Sequence, residues 1–188
     1  MSLSARNQLN VEISEVRTGA VNSLIAGKLA GGEVLKATIT VDSEKALDLK
    51  VGKKAIFLFK ASSVIVSKDD SIKLSATNQI KGVVSEIKDG AVNAEVIIDA
   101  NGSKISVIIT RESVHNLALK AGDKVTAIIK ATQIIVGVKE FLGANVLRSS
   151  PFKLIYEFKQ IPKINPNFLY KFSQTKIWLI FIFLKFKK

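Results

Sequence analysis

Residues 9–16 read LNVEISEV, with apolar and polar positions alternating as far as Ser14, and residues 80–87, IKGVVSEI, follow a looser form of the same scheme. A period of two with β-branched residues predicts half-buried strands. Glycine follows each run, at Gly19 after Arg17-Thr18 and at Gly90 after Lys88-Asp89, where a hairpin turn is needed. Second strands are expected near 21–29 and 93–99, and third strands at 34–40 and 104–110. Residues 42–47 and 112–117 start polar and end on leucine, which fits one or two helical turns. Turns at LKVG (49–52) and LKAG (119–122) lead into fourth strands at 54–60 and 124–130. Fifth strands at 63–67 and 133–137 are expected to close each set.

The two sets match because they are two copies of one sequence. LSARNQL at 3–9 returns as LSATNQI at 74–80, an offset of 71, and GAVN at 19–22 returns at 90–93. The offset is 70 from TVDS (40–43) and TRES (110–113) onward, through LDLKVG and LALKAG, to FKASSVIV (59–66) and IKATQIIV (129–136). One residue is therefore missing from the second copy, in the turn-like AGGE (30–33) against ANGS (100–103), where length changes cost little. Landmarks in one order over a whole copy signal a tandem duplication. The expected fold is all-β: two tandem OB-like five-stranded Greek-key barrels, each with a short helix, over 2–68 and 73–138. A barrel of this size is small for an independent core, so packing between copies and between chains is expected.

Composition changes the picture only beyond residue 138. Phe141 to Lys188 holds eight of the ten Phe, the only Trp, both Tyr and all three Pro. It carries nine Lys and Arg against Glu157 alone, leaving +4 of the net +12 for residues 1–140. The charge therefore gives the repeated body no nucleic-acid signature. Its apolar run IWLIFIFL (177–184) is far shorter than the roughly 20 residues of a membrane span. Residues 139–188 are expected to be an appended or frame-shifted, poorly ordered extension; membrane contact is expected only if that tail is ordered. No cysteine is present, which excludes disulfides and thiolate metal sites. The N-terminus shows no secretory h-region.

No enzyme is expected. The single histidine, His115, lies in the polar turn SVHNL opposite Lys45 and reads as a solvated side chain. Asp42 with Glu44, and Asp69 with Asp70, read as solvated charge, and no phosphate loop or dinucleotide glycine pattern occurs. What recurs is a set of hydrogen-bond donors: Ser4 and Ser75; Thr40 with Ser43 and Thr110 with Ser113 at helix starts; Lys60-Ala61-Ser62 and Lys130-Ala131-Thr132. Hydroxyls, free N–H groups and cations are what a proton-free oxyanion requires, because it only accepts hydrogen bonds.

The phrases SARNQL, GAVNAEV, ITRES, LALKAGDKV and IKATQIIVG closely resemble the molbindin, or Mop, domain of the TOBE superfamily, over about residues 2–138. The resemblance implies barrels completed by exchange between chains, a homotrimer of two-domain chains, and molybdate or tungstate bound between subunits for cytoplasmic storage. The matching positions are Ser4, Ala5, Arg6, Thr40, Ser43, Lys60, Ala61 and Ser62, with Ser75, Ala76, Thr110, Ser113, Lys130, Ala131 and Thr132 in the second copy. Asn22 and Asn93 are expected at further sites near symmetry axes. The first copy departs from the pattern with GAVNSLI, the second with Thr77 in place of Arg6.

Two other functions fit the same patterns. The tandem pair is similar to the sensor half of molybdate-responsive regulators, so a sensor module acting with a separate regulator or transporter is an alternative; the chain opens directly at the head phrase, without a helix-turn-helix segment. OB-type barrels also bind single-stranded nucleic acid on aromatic platforms, but the body offers only Phe57 and Phe59, so no nucleic-acid partner is expected. The Arg6-to-Thr77 exchange predicts unequal copies. If Arg6 binds the anion, its sites should be roughly ten- to a hundredfold tighter; if Arg6 forms an interface ion pair, Thr77 simply lacks one.

Overall fold

A computed structural model of the chain describes residues 3–69 and 71–139. The expected tail lies outside the described residues except for Lys139. Each repeat contributes a long strand, β1 (Asn7–Thr18) or β6 (Asn78–Asp89), then a hairpin partner, β2 (Asn22–Lys28) or β7 (Asn93–Ala100). Third strands β3 (Val34–Thr40) and β8 (Ser103–Thr110) run into helices α1 (Val41–Ala46) and α2 (Arg111–Asn116). Fourth strands β4 (Lys54–Phe59) and β9 (Lys124–Ile129) end in 3-10 turns, Ala61–Ser63 and Ala131–Gln133, before β5 (Val64–Ser67) and β10 (Ile135–Gly137).

The long strands serve two neighbours each. The first half of β1 pairs with β4 and the second with β2, and a bulge between Ile13 and Glu15 bends the strand between them. β6 repeats this with a bulge between Val84 and Glu86. Bulges sharpen the local twist, which lets five strands curl rather than lie flat. The β7–β8 turn is Asn101-Gly102, both at positive φ, as a two-residue hairpin of this hand requires. The additional residue of the first copy, Gly31, lies against that turn: a Cβ on it would stand 2.4 Å from the Asn101 carbonyl oxygen.

One expectation is corrected. The fifth strands do not close their own copies. The strand orders are β10-β4-β1-β2-β3 and β5-β9-β6-β7-β8, so each sheet takes its fifth strand from the other repeat. Val64 to Ser67 pair with β9, and Ile135 to Gly137 pair with β4. The exchange that the family resemblance places between chains occurs here within one chain. FKASSVIV and IKATQIIV share their apolar pattern and differ mainly by conservative exchanges, so either segment suits either edge and local sequence cannot decide the pairing. Exchange joins two small barrels into one apolar cluster, running from Leu9 and Phe57 to Ile129 and Val136, and more surface is buried than either could bury alone.

The two halves fill one core position differently. In the first repeat Val11, Gly27 and Phe57 meet: a Cβ on Gly27 would lie 2.7 Å from Val11 Cγ2 and 2.9 Å from Phe57 Cζ. The corresponding residues of the second repeat are Gly82, Ile98 and Ala127, and there a Cβ on Gly82 would lie 2.6 Å from Ile98 Cγ2. The ring of Phe57 thus occupies the room that Ile98 takes in the second repeat.

A cation near the carbonyls that end each helix is also supplied in two ways. Lys53 Nζ donates to the Leu47 and Asp48 carbonyls at 2.6 and 2.9 Å. Its counterpart is Asp123, and there Lys68, at the end of the exchanged β5, donates to the Ala118 carbonyl at 3.2 Å and to Asp123 Oδ2 at 2.9 Å. Lys68 and then the Lys120 N–H hold the Asp123 carboxyl below its usual range. A depressed carboxylate stabilises the fold above its unfolded pKa, about 3.9, and loses that contribution as pH falls through the folded value. We therefore predict that Lys68→Ala lowers stability at pH 6, and that the difference from the parent shrinks below about pH 4. Urea titrations at both pH values test this; an equal difference at pH 3 and pH 6 would count against the latch.

Candidate functional site

The head phrase of each repeat is fixed by its own Asn-Gln pair. Gln8 Nε2 donates to the Ala5 and Leu3 carbonyls at 2.8 and 3.2 Å, and Gln79 Nε2 to the Ala76 and Leu74 carbonyls at 2.9 and 3.4 Å. Asn7 and Asn78, each only 1 % exposed, reach across to the other repeat. Asn7 Nδ2 donates to the Ser106 carbonyl and Asn7 Oδ1 accepts from the Ser106 N–H, both at 2.8 Å. Asn78 does the same with Lys36, the counterpart of Ser106, at 2.8 and 2.7 Å, and also donates to the Ile129 carbonyl. The recurring letters N and Q are therefore a clamp and a tether.

These clamps place the recurrent donors. Asn7 pairs with Phe59 and Asn78 with Ile129, so the ladders end where Arg6 adjoins Lys60 and Thr77 adjoins Lys130, with Ser4-Ala5 and Ser75-Ala76 leading in and the 3-10 turns leading out. The 3-10 turns lean on the other repeat's third strand, Ala61–Ser63 on β8 and Ala131–Gln133 on β3. Ala61 and Ala131 are buried there, which explains the small residue, while Ser4, Lys60, Ser62, Ser75, Lys130 and Thr132 are exposed. Two related junctions result.

Thr40 and Thr110 cap their helices: each Oγ1 accepts from the N–H of Ser43 or Ser113, at 3.2 and 3.1 Å. The paired hydroxyls also bond each other at 2.8 and 2.7 Å. Register sets Asn22 opposite Thr40 and Asn93 opposite Thr110. Thr40 stands four residues along β3 from the clamped Lys36, about 13 Å at the usual strand rise. Within one chain the expected site residues therefore form two kinds of group, junctions and caps, at opposite ends of the third strands.

Arg6 is in an ion pair. Its Nε stands 3.5 Å from Glu95 Oε1 on β7, and Ser106 Oγ donates to the same oxygen at 2.5 Å. The counterparts of Arg6, Glu95 and Ser106 are Thr77, Leu24 and Lys36. Sequence reasoning passed over Asn7, Gln8, Lys36, Asn78, Gln79, Glu95 and Ser106. The signal for four of them was the recurrence of N-Q, and for Glu95 the fact that Leu24 and Thr77 depart together. His115 is exposed on α2, and among the described residues no cluster of His, Cys, Asp or Glu could hold a metal. No helix among them is long and apolar enough to cross a membrane.

The TOBE domain family model matches residues 3–66 and 74–136. The molybdenum transport protein ModE of Herbaspirillum seropedicae is 34% identical over 142 residues, 74% of this chain and 53% of that protein. The molybdenum-pterin-binding protein MopA of Rhodobacter capsulatus is 36% identical over 140 residues, 73% of this chain and 53% of that protein. The chain thus spans about half the length of these curated relatives. A solved structure of the cytoplasmic molybdate-binding protein ModG, with molybdate bound, is 39% identical, covers 74% of this chain and all of its own, and superposes with a TM-score of 0.71.

Proposed function

The chain belongs to the TOBE domain family, and from that premise we propose that it binds molybdate, or tungstate, between copies of itself and serves as a cytoplasmic store. The observation that carries this reading is the splitting of the donor set. Hydroxyls and cations sit at the junctions, with further hydroxyls at the caps about 13 Å away along the same strand, so neither group alone surrounds an anion. A homotrimer in which the caps of one chain face the junctions of the next completes the set. Molybdate bound to the ModG neighbour supports the ligand. The match to ModE supports a second reading, a sensor module acting with a separate regulator or transporter.

Elemental analysis of the full-length protein purified from its native host, with the mass of the assembly, tests the proposal. Molybdenum or tungsten bound to a trimer is expected. A monomer that retains tight molybdate binding would refute shared sites.

Selectivity gives a second test. Molybdate carries no proton at neutral pH, whereas phosphate is partly protonated, and its proton finds no acceptor in ammonium or N–H groups, so that a Ser or Thr hydroxyl would have to give up donating to meet it. An unmade contact of that kind costs about 1–3 kcal/mol. We predict that phosphate at equal concentration leaves bound molybdate in place; displacement in a competition titration would refute the claim.

A further inference from the structure

The two junctions differ in charge, and the difference comes from the repeat that faces each head phrase. At the first junction the cations are Arg6 and Lys60, and Glu95 of the other repeat offsets one of them. At the second, Thr77 has no charge, but the position that clamps Asn78 is Lys36 rather than serine. Register puts Lys36 on the same face of its sheet as Leu24, because Lys36 pairs with Ala26 and Thr38 with Leu24. Ser106 and Glu95 share a face in the same way and bond each other across it, and the Arg6–Glu95 ion pair shows that this face meets the head phrase. Lys36 with Lys130 thus gives the second junction two cations, and Leu24 stands where the carboxylate would be. The charge count reverses the order expected from Arg6 and Thr77 alone.

We propose that Lys36 is the specificity-determining cation of the Thr77 junction, and that Glu95 makes the Arg6 junction the weaker of the two for an oxyanion. This rests on the oxyanion reading above. Affinity is then set by the third and second strands of the facing repeat, not by the head phrase itself. An incoming dianion at the Arg6 junction must compete with Glu95 for the guanidinium and is repelled by that carboxylate. At the Thr77 junction it meets two ammonium groups with leucine beside them. Asn78 grips only the backbone N–H and carbonyl of Lys36, so changing that side chain leaves the clamp in place.

The test is calorimetric titration of sodium molybdate into the full-length protein and three variants, with the assembly mass measured for each. The parent should show two classes of site. Lys36→Ser should weaken the tighter class about tenfold, the effect of losing one charge-assisted contact, and leave the weaker class unchanged. Lys36→Arg should restore it. Glu95→Gln should tighten the weaker class several-fold. If the parent binds molybdate and neither Lys36→Ser nor Glu95→Gln moves either class at constant assembly mass, the inference is wrong and the oxyanion reading stands. A parent that binds no molybdate overturns both.

Discussion

Asn78→Ala should lower the stability of the folded chain by about 3 kcal/mol, an unusually large effect for a polar side chain. Asn78 is 1 % exposed and satisfies the N–H and carbonyl of Lys36 together with the carbonyl of Ile129. Alanine leaves all three backbone groups without that partner, in a place where water has little access. A stranded buried group costs about 1–3 kcal/mol, and part of the sum is recovered by local relaxation. Asn7→Ala strands two groups rather than three and should cost less, about 2 kcal/mol. Urea denaturation measures both losses, and amide exchange at Lys36 should accelerate in the Asn78 variant alone. Equal midpoints for the parent and the Asn78 variant would show that the cross-repeat clamp does not hold the repeats together.

The second large effect concerns the core. Phe57 is fully buried, and Phe57→Ala should cost about 3–5 kcal/mol through lost burial and the cavity left behind. The second repeat shows how the same space is filled without a ring: alanine at 127 accompanies isoleucine at 98. Gly27→Ile alone should be destabilising, since even a Cβ at Gly27 would stand 2.9 Å from Phe57 Cζ and 2.7 Å from Val11 Cγ2. With Val11→Gly and Phe57→Ala together, which reproduce the Gly82 and Ala127 surroundings of Ile98 and remove both close approaches, Gly27→Ile should recover roughly 1.5–3 kcal/mol, the contribution of one buried aliphatic side chain. A double-mutant cycle reads the coupling directly. If Gly27→Ile costs the same with and without Phe57, the two residues do not share one space.

The sequence by itself determined the elements and their duplication. Alternation predicted the long strands, and the polar starts at Asp42 and Glu112 the helices, which begin one residue earlier, at Val41 and Arg111, because Thr40 and Thr110 are their caps. These are local effects, decided by neighbours within a few positions of the chain. The sequence also marked Ser4, Lys60, Thr40 and their counterparts as recurrent donors, since hydroxyls and cations declare their chemistry wherever they fall. Only the tertiary structure decided which strand completes which sheet, because two segments of the same apolar pattern compete for two edges and the outcome depends on burial across the whole chain. It also decided the meaning of the asparagine in the repeated N-Q, whose cross-repeat partners lie 99 and 42 residues away, and the state of Arg6, whose charge is opposed by a glutamate from the other repeat. A side chain's charge can be read from its letter, but the field it contributes depends on what folding brings beside it.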